Sequence, residues 1–192
     1  MSKGWQVGID VGGTFTDVIA LDPGSGEIRS AKVDTRIDDR VKGLLAALDA
    51  VGLAWTDVDD LIHGTTMVTN AIVEDGLDDV ALVAPEGFSD TMVKSGAKAG
   101  AVSLLHSYAN AEHEEQLGAR LREKIPYVAL SSWVNPEARE YERMATTVLS
   151  ASVMPLAAGY LDRLESVKPA GSRLHLIHSA GGMASPAALR EL

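Results

Sequence analysis

The chain has 192 residues, enough to bury one substantial core, or one domain and the beginning of another. Apolar residues make up 46% and charged residues 23%, a balance that excludes a disordered chain, and aromatics are sparse at 5%. The formal net charge of −10 argues against nucleic acid or an anionic membrane as partner, and the absence of cysteine excludes disulfides, thiolate catalysis and cysteine metal sites.

In chain order, the first residues lack the basic start and apolar run of a signal peptide, and no apolar stretch approaches the roughly 18 residues of a membrane helix. A cytoplasmic protein is expected. Gln6 to Val11, Phe15 to Leu21 and Ile28 to Val33 read as three strands of a meander. Its turns fall at Gly12-Gly13 and at Pro23 to Gly26. Val41, Leu44, Leu45, Leu48 and Val51 have the spacing of one apolar helix face. "DVDDLIHGTT" gives a strand ending near His63, and Thr65 or Thr66 is placed to cap a helix reaching Gly76.

"DVALVAP" is a further strand, after which "KSGAKAGA" marks a seam near residues 94–100. "AVSLLHSY" reads as a buried strand, "NAEHEEQLGARLREK" as a helix with a solvated acidic start, and "YVALSS" as a strand. A long helix is expected from near Pro136, with Tyr141, Met144, Ala145, Val148, Leu149 and Ser152 on its inner face. Pro155 is expected to kink or divide it. "LHLIHSAGGMASPAALREL" closes the chain as strand, glycine turn and incipient helix. Alternating strands and helices imply an α/β domain with a mixed sheet.

Three stretches are candidates for chemistry. In "GIDVGGTFTD", Gly12 and Gly13 permit close approach to the main chain, and successive amides in such a turn form an anion-binding nest. Thr14 and Thr16 add hydroxyls, Asp17 follows, and Asp10 is placed to hold a divalent cation, directly or through water, or to orient a nucleophilic water. A plain glycine hairpin with paired threonines is the competing reading. In "HGTTMVTNA", Gly64, Thr65, Thr66 and Asn70 offer polar groups for an anion or substrate. His63 is either a general acid/base or a histidine satisfied by the core. "HSAGGMAS" is a third glycine turn, with an ordinary strand-to-helix connection as its alternative.

Taken together, "GIDVGGTFTDVIALD", "HGTTMVTNAIVEDG", "EGFSD", "VSLLHSYANAEHEE", "LSSWVNPEAREYERMATTVLSA" and "HSAGGMAS" resemble, in order, the N-terminal part of the hydantoinase/oxoprolinase family. The family includes ATP-dependent N-methylhydantoinase, 5-oxoprolinase and the ATP-using subunits of acetone and acetophenone carboxylases. The resemblance implies an actin/hexokinase/Hsp70-like (ribonuclease H-like) α/β fold, with residues 1–171 as its N-terminal domain and 172–192 as the start of a second domain. It implies ATP and Mg²⁺ as cofactors, with Asp10 as catalytic and metal-binding residue and Gly12, Gly13, Thr14, Thr16 and Asp17 as the first phosphate loop.

The implied parent activity is ATP-dependent hydrolysis of a cyclic amide, hydantoin or 5-oxoproline, through phosphorylation of the carbonyl. A ketone substrate, as in the carboxylases, is the near neighbour, and a hydantoinase B-like subunit is the implied partner. A non-catalytic binding or assembly module is the alternative, and a small sugar or acyl kinase of the same superfold a third. The chain departs from the family in three ways. Ala180 replaces an asparagine, "EDGLDD" is more acidic than usual, and a family stretch between "GFSDTMVKSGAK" and "AGAVSLLHSY" is absent. It is therefore expected to be a truncated and internally shortened member, lacking the second jaw that closes on nucleotide.

Overall fold

The computed structural model describes residues 4–84, 96–177 and 182–191. The stretch "EGFSD" and most of the "HSAGG" turn lie outside these, as does the start of the expected seam. The chain divides into two compact units, Met1–Asn70 with Gly159–Glu191, and Ala71–Ala158.

The first unit is built on β1 (Trp5–Val11), β2 (Phe15–Leu21), β3 (Ile28–Asp34), α1 (Arg40–Ala50) and β4 (Val58–Thr65). Its C-terminal part adds β8 (Arg173–Ile177), β9 (Met183–Ala184) and α6 (Pro186–Glu191). The sheet order is β3-β2-β1-β4-β8-β9. The meander is antiparallel, and β1, β4 and β8 run parallel to one another. This mixed sheet with helices is the α/β class that the alternation of elements implies. The residues expected to open a second domain supply β8, paired with β4.

Each turn of the meander follows from its residues. Asp22 closes the second one, taking the Gly24 amide on Oδ1 at 2.8 Å and the Ser25 hydroxyl on Oδ2 at 2.6 Å. Gly26 there has φ +77°, a conformation that favours glycine. Strict alternation along β2 buries Thr16, Val18 and Ala20 on one face. Val7, Ile9, Val11 and Leu61 join them, and α1 contributes Val41, Leu44, Ala47 and Leu48 to the same core. Asp39 caps α1 by accepting from the Lys42 amide, and it also binds Arg163 at 2.7 Å. That hydrogen bond with Arg163, helped by the Lys42 amide, lowers the Asp39 carboxyl to about 2.

The second unit holds the end of α2 (Met67–Val73), then β5 (Val80–Val83), β6 (Ala99–Val102), α3 (Glu112–Arg122), β7 (Tyr127–Leu130) and the single turn α4 (Ser131–Val134). The long α5 (Glu140–Val167) runs from this unit into the first. Strands β5, β6 and β7 form a parallel sheet with its own core, including Val83, Val102, Leu121, Val128 and Leu130.

Several elements differ from the sequence reading. Strand β6 stops at Val102, and His106 beyond it adopts φ +59°. Helix α2 ends at Val73 instead of Gly76, and "YVALSS" turns helical at Ser131. Helix α5 starts at Glu140 instead of Pro136 and passes through Pro155 undivided, at the cost of one backbone hydrogen bond. Its fully buried positions are Arg143, Thr147, Ala151 and Leu164; of the expected inner face Ser152 is buried, while Tyr141 is 74% exposed. The helix also contains an 18-residue window of mean hydropathy 1.4, long and apolar enough by composition to cross a bilayer. In the fold, its Ala151, Tyr160, Leu161 and Leu164 are buried in protein.

The acidic start of α3 is not wholly solvated either. Glu114 is fully buried, accepting from the Leu104 amide at 2.8 Å, the Ser131 hydroxyl at 2.7 Å and the Ser132 amide at 2.8 Å. Arg143, also fully buried, donates to Ser131 Oγ at 3.1 Å, Glu137 O at 2.7 Å and Leu104 O at 2.9 Å, and pairs with Glu140.

Candidate phosphate-binding site

The β1–β2 hairpin is tied by the Gly12 amide donating to Phe15 O at 3.0 Å and by Thr35 N–H donating to Thr14 O at 2.9 Å. The Gly12 donor is thereby consumed. Among the described residues, the amides of Gly13 and Thr14 enter no recorded hydrogen bond, leaving two adjacent donors at an exposed turn. A Cβ on Gly12 would lie 3.0 Å from Phe15 O, and one on Gly13 3.1 Å from Asn70 Nδ2. Both are closer than a side chain tolerates without a shift. The turn is a backbone cradle with the Asn70 amide beside it.

Register fixes what stands next to the turn. Asp10 lies opposite Asp17 on β2 and opposite Gly64 on β4, and Asp17 lies opposite Lys32 on β3. These residues form one row on the open face of the sheet. A Cβ on Gly64 would meet Asp10 Oδ1 at 3.1 Å, so the missing side chain is what leaves room for the Asp10 carboxylate. Asp10 is exposed and makes no recorded hydrogen bond or ion pair, whereas both Asp17 oxygens accept from Lys32 Nζ at 3.0 Å. Gly64, Thr65 and Thr66 line the same open depression, about 990 Å³ in volume, as Asp10 and Asp17. Thr65 Oγ1 accepts from the Met67 amide at 3.2 Å, so Thr65 provides the side-chain cap.

Two candidates face the other way. Thr16 is fully buried and its hydroxyl shares a 2.9 Å hydrogen bond with Thr35. His63 is likewise fully buried, between Ile9 O at 3.3 Å from Nδ1 and the Tyr160 hydroxyl at 2.7 Å from Nε2. A carbonyl only accepts, so Nδ1 carries the proton and Nε2 accepts from Tyr160. Burial holds the imidazole down to about 4 and pushes the Tyr160 phenol up. His63 is therefore neutral near pH 7 with both nitrogens engaged, placed in the core behind Asp10.

Tyr160 and Thr35 were not singled out from sequence, because nothing local marks a partner 97 or 19 residues away. The β2 alternation was the available signal for Thr16. It puts Thr16 in phase with Val18 and Ala20, and Asp17 in phase with the exposed Phe15 and Ile19.

A magnesium nucleotide fits this donor set. Mg²⁺ takes one or two carboxylates and keeps waters and phosphate oxygens, so a lone exposed Asp10 suffices. No group of three or more acidic or histidine ligands occurs among the described residues. The free amides of Gly13 and Thr14 are suited to phosphate oxygen.

Residues 6–95 match the family model described as the hydantoinase/oxoprolinase N-terminal region. The chain is 26% identical to the caprolactamase subunit alpha of Pseudomonas jessenii over 258 aligned positions, covering 97% of this chain and 37% of the relative. It is 26% identical to the acetophenone carboxylase gamma subunit of Aromatoleum aromaticum, covering 93% of this chain and 35% of that one. Alignments longer than the chain itself mean that the relatives carry internal stretches it lacks. Among solved structures, nucleotide-free acetone carboxylase superposes with a TM-score of 0.78 at 18% identity, over 95% of this chain and 37% of the other. The ATP-dependent caprolactamase of P. jessenii gives 0.78 at 24% identity, over 94% of this chain and 36% of the other. The fold is thus that of the N-terminal regions of these enzymes, and the chain spans little more than a third of their length.

Proposed function

We propose that this chain, whose residues 6–95 match the model of the hydantoinase/oxoprolinase N-terminal region, is the phosphate-gripping part of an ATP-dependent hydrolase acting on a cyclic amide, hydantoin or 5-oxoproline. The observation that carries this reading is the pair of unengaged amides at Gly13 and Thr14 beside the unpaired carboxylate of Asp10. When bound, Mg-ATP supplies the phosphoryl group that activates the amide carbonyl.

On this reading each residue takes a role. The Gly13 and Thr14 amides, with the Thr14 hydroxyl, would hold phosphate oxygens of the nucleotide and offset their negative charge. Asp10 holds the cation, directly or through water. Gly64 keeps the carboxylate free to do so. Thr66 and the Asn70 amide orient the outer phosphate or the substrate from the other side of the turn. Lys32 neutralises Asp17, so the row carries one uncompensated charge instead of two. His63 and Tyr160 hold the strand ends from beneath and take no proton from substrate. A cytoplasmic setting goes with this chemistry.

The names of two relatives as subunits favour a second reading, in which the chain docks within a multi-subunit hydantoinase or carboxylase and contributes the turn to a shared site. A hydantoinase B-like subunit is then its partner. Thermal unfolding separates the readings. Millimolar Mg-ATP raises Tm of a chain that grips phosphate by itself, by mass action, and Asp10→Ala removes the shift. Absence of a shift with the wild-type chain overturns stand-alone nucleotide binding and leaves the docked reading.

A further inference from the structure

One face of the six-stranded sheet is buried by α1 and the end of α5, and the other is open. Phe15, Ile19, Leu21, Ile28 and Ile177 on that open face are between 37% and 64% exposed. Strands β1, β4 and β8 are parallel, and parallel strands are normally covered on both faces by helices. An apolar patch of this kind marks an interaction site.

The patch has a shape. Register places Ile19 beside Gly8 and Gly8 beside Ile62, while in the next row Gly64 follows Asp10. Gly8 and Gly64 lack side chains, so a trough runs obliquely between the Ile19 side and the Ile62 and Ile177 side. A Cβ on Gly8 would sit 3.4 Å from Ile19 Cγ2, and one on Gly64 3.9 Å from Ile177 Cδ1, so these isoleucines form its walls. Strands β2 and β4 are two strand spacings apart, about 9.6 Å, which matches the roughly 10 Å diameter of a helix.

The trough also has a polarity. Asp10, Asp17 and Asp34 stand on its side of the sheet at the ends of the β1 and β2 hairpin, and Lys32 offsets one of these carboxylates. We propose that this face seats an amphipathic α-helix of another polypeptide, with an apolar stripe in the Gly8–Gly64 trough and a lysine or arginine at the end nearest Asp10. A second copy of the chain is disfavoured, because each copy brings a formal charge of −10 and the same acidic end. The trough opens into the same depression as the glycine turn and shares Asp10 and Gly64 with it, so on the reading proposed above the seated helix and Mg-ATP compete for Asp10.

Fluorescence anisotropy with the full chain and two labelled helical peptides tests this. Both peptides carry a Leu/Ala stripe over about 16 residues, or roughly 24 Å, and they differ only in lysines or glutamates at one end. The lysine peptide is expected to bind about tenfold more tightly than the glutamate peptide, a difference of about 1.4 kcal/mol. Ile19→Asp, or Ile177→Asp should the first variant fold poorly by circular dichroism, is expected to weaken it by about tenfold or more. Binding of neither peptide, or equal binding of both to wild type and variant, overturns the proposal. So does sedimentation showing a wild-type dimer that Ile19→Asp dissociates, which would assign the face to a second copy. Retention of the Mg-ATP thermal shift by Ile19→Asp keeps this outcome separate from the phosphate site.

Discussion

His63 sits fully buried between Ile9 O and the Tyr160 hydroxyl, and protonating it places a charge in the core away from water. Its ordinary value of 6.5 falls to about 4 on folding. Between these values the unfolded chain binds more protons than the folded one, so stability decreases as pH falls through that window. The loss reaches on the order of 2–3 kcal/mol by pH 4. Urea unfolding at a series of pH values checks this, with His63→Leu expected to flatten that part of the profile. Tyr160→Phe leaves Nε2 without a donor and should cost about 1–3 kcal/mol at pH 7. Gly64→Ala is the corresponding test at the open face. The new Cβ pushes against Asp10 Oδ1, so Mg-ATP affinity should drop while the urea midpoint changes little. The glycines, threonines and aspartate of the turn were legible because short polar residues after a buried strand need a reason. The split between outward Thr14 and inward Thr16 was legible only in the phase of β2.

Helix α3 and helix α5 meet through Glu114, Ser131 and Arg143, a network at the C-terminal ends of β6 and β7. Sequence periodicity could not find it. A stripe at positions 143, 147 and 151 reads as polar and small, while Tyr141 and Leu149 look like the core and are exposed. Burial of a charge is decided by partners from other elements, which spacing does not encode. Glu114→Ala leaves the Leu104 and Ser132 amides and the Ser131 hydroxyl without their acceptor and should destabilise the chain by about 1–3 kcal/mol or more in urea unfolding. Pro155 belongs to the same scale. The helix is continuous through it, so Pro155→Ala should raise Tm by restoring a backbone donor.

For the whole molecule, the meander, the helix after it and the parallel strands were all readable from alternation and turn chemistry. Their division into two units was not. Residues 159–191 join the first unit across more than eighty intervening residues, and nothing in their composition says so. The open sheet face is the other feature that appears only in three dimensions, since Ile19, Ile62 and Ile177 come from three separated strands. The central claim is that the Gly12–Thr14 turn and Asp10 grip the phosphates of a magnesium nucleotide. Isothermal titration of the wild-type chain with Mg-ATP and with Mg-AMP, repeated on Gly13→Val, tests it most directly. The expected result is heat of binding for Mg-ATP, far weaker binding of Mg-AMP, and loss of the Mg-ATP signal in a folded Gly13→Val chain. Equal binding of the two nucleotides, or full retention of Mg-ATP binding by Gly13→Val, would contradict it.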